Sequence, residues 1–281
     1  IAKFLFTQKV DTLVLVQMRM TLSFLVIAGI FLVSKRELLR VRARDLYRFA
    51  LLGIIGGAGS NFTYYFTIEQ TNVATAILLQ YMAPLGVLLY AAVSGEEKIS
   101  AATLAAGVIS LAGCFLAIAG RDFTIVSISR LGLLSGVTSA FCWAFANIWL
   151  RRLLKDYSVW TCLVYAFFFA SLFWLFFNPP WAIAAAHYPA ATWASYFGFA
   201  MISVLFPHSL YFAGVRYLTA SRAIITATFE PVVAIVSAFL ILGETLEAVQ
   251  IIGALLVIAA IIILQMRKEE FAVLPPVPHS E

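Results

Sequence analysis

Apolar stretches of about 20 residues recur along the chain between short polar breaks. A helix rises about 1.5 Å per residue, so each stretch matches the roughly 30 Å hydrocarbon core of a bilayer. The pattern predicts transmembrane helices near residues 11–33, 46–68, 72–94, 99–119, 131–150, 158–177, 192–215, 220–242 and 248–266. The opening IAKFLF is too short to span, and is expected to be the end of a further helix whose start is missing. After Met266 the sequence RKEEFAVLPPVPHSE turns polar and proline-rich, and 268–281 is expected to be a disordered cytoplasmic tail. The fold class is therefore all-α, a polytopic membrane helix bundle with about nine complete helices.

Composition agrees. Hydrophobic residues make up 63% and charged residues 12% of the 281, against about 45–50% and about 25% in soluble domains. The polar surface is too small to cover the chain in water. A net charge of +5 then says little about nucleic acid, and its distribution among loops matters more. Lys35, Arg36, Arg40, Arg42, Arg44 and Arg48 crowd one loop, which the positive-inside tendency places in the cytoplasm. Alternating sides from there puts Lys98, Arg151, Arg152, Lys155, Arg216, Arg222, Arg267 and Lys268 inside as well. Lys3, Lys9, Arg121 and Arg130 fall outside, and Arg19 lies within a span. The expected location is a bacterial or archaeal plasma membrane, with the C-terminus cytoplasmic.

Cys114, Cys142 and Cys162 lie in apolar segments without metal-ligand spacing, and read as buried thiols. Trp181, His187 and Tyr188 in the loop NPPWAIAAAHYPAAT read as interfacial anchors. The chain lacks HExxH, a phosphate-binding glycine loop and a nucleophile elbow. ATP-driven transport and proteolysis are disfavoured, and no cofactor, metal or nucleic-acid partner is expected.

The chain also overlays itself at an offset of 147 residues, Tyr64–Glu97 falling on Tyr211–Glu244. Tyr64 pairs with Tyr211, Ala76 with Ala223, Ile77 with Ile224, Pro84 with Pro231, Ala91 with Ala238 and Glu97 with Glu244. The basic loops swap sides between the copies: Arg216 and Arg222 stand where the first copy has none, and Lys98 has no basic counterpart in GETLE. Two halves of opposite orientation would give this pattern, and five helices per half would produce the reversal. The expected repeats are 1–125, with its first helix incomplete, and 126–267.

These residues resemble the drug/metabolite transporter superfamily, specifically its EamA-type members. The resemblance is carried by MRMTLSFLV with Arg19, by ATAILLQYMAPLGVLLYAAVSGEE and SRAIITATFEPVVAIVSAFLILGE, and by the glycine-rich helix after each. The truncated first helix and GEE at Gly95–Glu97, where LGE is usual, depart from the pattern. The resemblance implies ten helices in two inverted five-helix repeats, and a cavity built from helices 1, 3, 4, 6, 8 and 9. It implies a secondary-active transporter, not an enzyme, expected to export amino acids or similar small organic metabolites. A multidrug or organic-cation exporter is the alternative, and a non-transporting structural or regulatory membrane protein the alternative of another class.

Polar residues recur at helical spacing inside the spans. Asn61, Tyr64 and Tyr65 share a face of the third helix, and His208 with Tyr211 repeats it in the eighth. Ser139, Trp143 and Asn147 follow in the sixth helix, while Gln80 with Pro84, and Thr226 with Glu230, are i, i+4 pairs in the fourth and ninth. Such groups rarely face lipid, because an unpaired polar group in hydrocarbon costs several kcal/mol. They are either interhelical glue or the lining of a solute cavity. Asn61, Tyr64, Tyr65, Gln80, Tyr81, Trp143, Asn147, His208, Tyr211, Thr226 and Glu230 are the candidate solute-binding set, with Pro84 and Pro231 as bend points. Glu230 lies about 15 Å into its helix, near the midplane. It is a candidate for a coupling proton, a solute amine, or a buried ion pair with Arg19. An intramembrane enzyme would need a second acid, and only His208 is at hand. Gly53 with Gly57, and Gly132 with Gly136, carry GxxxG spacing and no functional weight.

Overall fold

A computed structural model describes residues 12–97, 99–119, 129–242, 245 and 247–266. The opening stub, the tail, Lys3, Lys9, Lys98, Arg121, Glu244, Arg267 and Lys268 lie outside the described residues. Among the described residues the protein is an all-helical membrane bundle without strands.

Helix α1 spans Thr12–Ser34, followed by two 3-10 turns at Arg36–Leu39 and Ala43–Asp45. The run 46–70, α2, is α-helical over Leu46–Leu51, π-helical over Leu52–Gly59 and α-helical again over Ser60–Gln70. Then come α3 Val73–Gln80, α4 Ala83–Ser94, α5 Ala101–Ala119, α6 Arg130–Leu153, α7 Val159–Trp174 and the short α8 Pro180–Ala185. Helix α9, Ala190–Tyr217, contains a second π segment at Met201–Leu205. The chain continues through α10 Ala220–Ala227, α11 Glu230–Leu242 and α12 Ala248–Met266. All nine expected spans are thus helical. Seven stretches are long and apolar enough to cross a membrane: 13–34, 73–94, 101–118, 130–153, 190–217, 220–237 and 248–266. Helix α7, at 16 residues, and the interrupted α2 are the two of the nine outside this set.

Local chemistry sets the boundaries. Asn72 caps α3, its Oδ1 accepting from Thr75 N at 2.7 Å; Thr219 caps α10, its Oγ1 accepting from Arg222 N at 3.3 Å. These caps are themselves 147 residues apart. So are the whole of α3 and α10, the whole of α5 and α12, and the two helix breaks, Tyr81–Met82 and Thr228–Phe229. Each break lies just before a proline, Pro84 or Pro231, which has no N–H to offer the carbonyl four residues back. Gly95 ends α4 in the left-handed region at φ 67°, its N–H donating to Ala91 O at 3.1 Å.

The chain divides into two compact units, and each draws on both sequence halves. The described part of the first is 12–59 with 149–216. Within it α1 packs on α7 and on the first part of α9, and α7 packs on the π segment of α2. A Cβ on Gly53 would lie 2.6 Å from both Ala166 O and Phe169 Cβ, so this approach admits only glycine. Val14, Leu15 and Met18 bury against Ile183, Tyr196 and Phe199.

The described part of the second unit runs over 60–148 and 217–266. Helices α5 and α12 form its most extensive pair. Its core joins Val87 and Leu88 of α4, Ala106 of α5, Ala140 and Ala144 of α6, Ile224 and Ile225 of α10, and Ala260 and Leu264 of α12.

Candidate functional site

The candidate residues divide between the units. Asn61, Tyr64, Tyr65, Gln80, Tyr81, Trp143, Asn147, Thr226 and Glu230, with Pro84 and Pro231, belong to the second; Arg19, His208 and Tyr211 belong to the first. Two polar clusters stand out in the second unit.

The first joins α2, α3 and α6. Gln80 Nε2 donates to Ser139 Oγ at 3.0 Å and to Ser60 Oγ at 3.3 Å. Ser139 Oγ donates to Ser60 O at 3.1 Å. Ser139 is fully buried, and its one hydrogen is spent on a carbonyl, so its oxygen must accept from Gln80. That fixes the amide's orientation and leaves Gln80 Oε1 as a spare acceptor. Farther along α2, Thr67 and Ser135 share a hydrogen bond of 2.8 Å. Gln80 was expected from its spacing; Ser60, Thr67 and Ser135 were not. Single hydroxyls in apolar spans carry no periodic signal, since they bond readily to their own helix.

The second cluster lies at the helix breaks. Tyr81 directly follows α3, and Glu230 is the first residue of α11. The Tyr81 hydroxyl donates to Glu230 Oε2 at 3.1 Å, tying the two breaks together. Behind Tyr81 lie Cys114, Val232 and Val257, and Cys114 Sγ donates to Thr228 O at 3.7 Å. Glu230 is exposed although it sits inside an apolar stretch. The rings of Tyr64 and Tyr65 meet edge to face at 5.4 Å.

Two of the remaining candidates bond to carbonyls of their own helices. Asn147, almost fully buried, donates to Trp143 O at 2.7 Å. In the first unit, His208 Nδ1 bonds Val204 O at 2.9 Å, which fixes the proton on Nδ1 because a carbonyl can only accept. Its ring lies 5.7 Å from Phe167 and 6.3 Å from Phe212. Ser203 and Ser209 likewise donate to carbonyls four residues back, around the π segment. Arg19 stands 5.6 Å from the Phe199 ring centre. Within its own unit Glu230 takes the Tyr81 hydroxyl as its partner, while Arg19 belongs to the other unit. Gln17, two residues before the half-buried Arg19, is itself buried and donates to Asn178 O at 2.8 Å. His187 takes the left-handed conformation at φ 46° just after α8, with Nδ1 bonded to Ala185 O at 2.6 Å.

A third cluster fastens the loop between α1 and α2 in the first unit. Arg48 donates to Asp156 at 2.7 Å, Tyr157 to Asp45 at 2.6 Å, Thr161 to Leu38 O and Tyr165 to Leu39 O. The Tyr157 hydroxyl, helped by Arg48, holds the Asp45 carboxyl below its usual range. Burial and the Asp45 charge push the Tyr157 phenol up.

The EamA-like transporter family matches residues 1–119 and 130–266. The chain belongs to the EamA-like transporter family. That family falls within the drug/metabolite transporter superfamily, and its members are transporters, not enzymes. The "uncharacterized inner membrane transporter YicL" of Salmonella typhimurium is 26% identical over 79% of this chain and 74% of its own. The riboflavin transporter ImpX of Fusobacterium nucleatum is 26% identical over 81% and 79%. The threonine/homoserine exporter RhtA of Salmonella typhimurium is 26% identical over 72% and 65%. A solved protein structure superposes with a TM-score of 0.74 at 17% identity, covering 92% of this chain and 88% of the other, and so shares the fold.

Proposed function

We propose that this EamA-family protein is a secondary-active exporter of amino acids or similarly small organic metabolites. It would work by alternating access around a midplane site, with two sequence halves of opposite orientation. The observation that carries the reading is Glu230, exposed at a helix break inside an apolar span. A carboxylate near the centre of a span costs about 3 kcal/mol on insertion scales. That cost is avoided where the carboxylate meets water or a polar solute, and a translocation route provides both. The paired breaks support the same reading, because proline-freed carbonyls at membrane depth are tolerated where they line a wet cavity. The matched threonine/homoserine exporter and riboflavin transporter make small polar metabolites the first class to try.

A second reading, export of organic cations, is favoured by a Glu230 without a basic partner among the described residues. The test is flux from proteoliposomes holding the full chain, with a panel of labelled amino acids, riboflavin and quaternary ammonium compounds. Solute-dependent flux above that of empty vesicles is expected. A folded protein that moves none of them refutes transport, and movement of quaternary cations alone selects the second reading.

A further inference from the structure

We infer that Glu230 is the group that recognises a positively charged nitrogen on the solute, with Tyr81 as the residue that positions it. This rests on the transport reading above. Glu230 uses one oxygen, Oε2, for the Tyr81 hydroxyl; Oε1 has no hydrogen bond among the described residues. Three residues earlier stands the carbonyl of Ala227, which Pro231 cannot serve. The α10–α11 break therefore offers acceptors and no charged donor.

The partner break repeats this bias. The Gln80 carbonyl is freed by Pro84, and the Gln80 side chain turns its nitrogen into the serines. The described basic residues of this unit are Arg130 and Arg222. Arg130 opens α6, and Arg222 lies eight residues before Glu230, on the far side of the Thr228–Phe229 break. Neither forms an ion pair with Glu230 within this unit, which leaves Oε1 open to a positively charged group.

An ammonium group is a point charge with three donors and no acceptor, the complement of this set. An anionic group placed at Oε1 would be repelled by the carboxylate, so an amino acid would present its ammonium end here. Tyr81 holds the recognising carboxylate in place: its ring is packed by Cys114, Val232 and Val257, and its hydroxyl fixes Oε2. A second oxygen is thereby left for the ligand.

The test uses the full chain and three matched probes: phenethylamine, L-phenylalanine and 3-phenylpropanoate. In detergent, the two amines are expected to raise the melting temperature and 3-phenylpropanoate is not. Glu230→Gln should abolish the shift while melting as wild type does without probe. In proteoliposomes, Glu230→Gln should lower L-threonine flux at least tenfold, with Glu230→Asp restoring part of it. Tyr81→Phe should raise KM and leave maximal flux unchanged, which a merely structural role would not do. Wild type that responds equally to 3-phenylpropanoate overturns the inference and leaves the transport reading standing. So does a folded Glu230→Gln that keeps its amine preference. A melting shift specific to amines, without flux of any solute, sinks the transport reading while the recognition by Glu230 survives.

Discussion

The contact between α5 and α12 gives the sharpest prediction. A Cβ on Gly253 would lie 2.6 Å from Gly113 O and 2.9 Å from Ala117 Cα. A Cβ on Gly113 would lie 2.8 Å from Gly253 O and 2.9 Å from Val257 N. Every one of these obstacles is backbone, so no rotamer change relieves the clash. Carbon contacts become comfortable near 3.5 Å, so Gly253→Ala requires the helices to part by about 0.9 Å. A gap of that size forfeits up to about half the dispersion energy of each contact along the seam. Overpacking of this kind costs about 1–3 kcal/mol, and the backbone obstacle places it at the upper end. Alanine returns about 1 kcal/mol through helix propensity, leaving a net loss of about 2 kcal/mol.

The control is Gly214→Ala in α9, where a Cβ meets nothing within 4 Å. It should stabilise by up to about 1 kcal/mol. The two variants then differ by about 3 kcal/mol, or roughly 6–12 °C in melting temperature for a chain of this size. Detergent-solubilised thermal melts monitored by tryptophan fluorescence measure the difference. Once the helices have parted, the second clash is already relieved, so Gly113→Ala with Gly253→Ala should lose less than the sum of the singles. Equal melting of Gly253→Ala and Gly214→Ala would refute the close approach.

Two further outcomes follow from the polar clusters. Ser139→Ala removes the 3.0 Å acceptor of Gln80 Nε2 and leaves the weaker 3.3 Å contact with Ser60, costing about 1 kcal/mol in thermal melts; a cycle with Gln80→Ala should assign most of that to the pair. Tyr157→Phe tests the loop: because the folded Asp45 carboxyl lies low, its contribution is complete above the ordinary value of about 3.9 and is lost as pH falls through the folded value. The melting gap between wild type and Tyr157→Phe should therefore hold at neutral pH and close below about pH 4, and a gap that widens on acidification contradicts the assignment.

Hydrophobic length placed the helices, and among the described residues seven of the expected spans are long and apolar enough to cross a bilayer. The self-overlay located both broken helices, because proline writes its effect into the sequence. The π segments at Leu52–Gly59 and Met201–Leu205 were not legible. A widened turn needs no particular residue, and its freed carbonyls are served by ordinary side chains such as Ser203 and His208. Gly53 received no weight from its spacing, yet it lies against Ala166 and Phe169. What distinguishes it is a neighbour more than a hundred residues away, which no local pattern contains. Glu97 was visible as a repeat match with Glu244, but its role was not. It accepts from the amides of Ala220 at 2.8 Å and Ser221 at 3.4 Å, adding a carboxylate to the positive end of α10.

The symmetry explains why the site could be half read. At an offset of 147 the backbone repeats: Pro84 answers Pro231, and the break at Tyr81–Met82 answers that at Thr228–Phe229. The side chains do not repeat. Tyr81 corresponds to Thr228, and Glu230 to Ala83. The breaks share their place relative to a proline, which withholds an N–H from the carbonyl four residues back. At the two breaks the side chains differ, one contributing a phenol and the other a carboxylate, joined at 3.1 Å. A symmetric pair of breaks could hold only matching groups, and two facing carboxylates or two facing phenols would not leave one anionic oxygen held and the other open. Solute recognition in this chain should therefore respond to substitutions at Tyr81 and Glu230, and far less to exchanges at their counterparts Thr228 and Ala83 that preserve the fold.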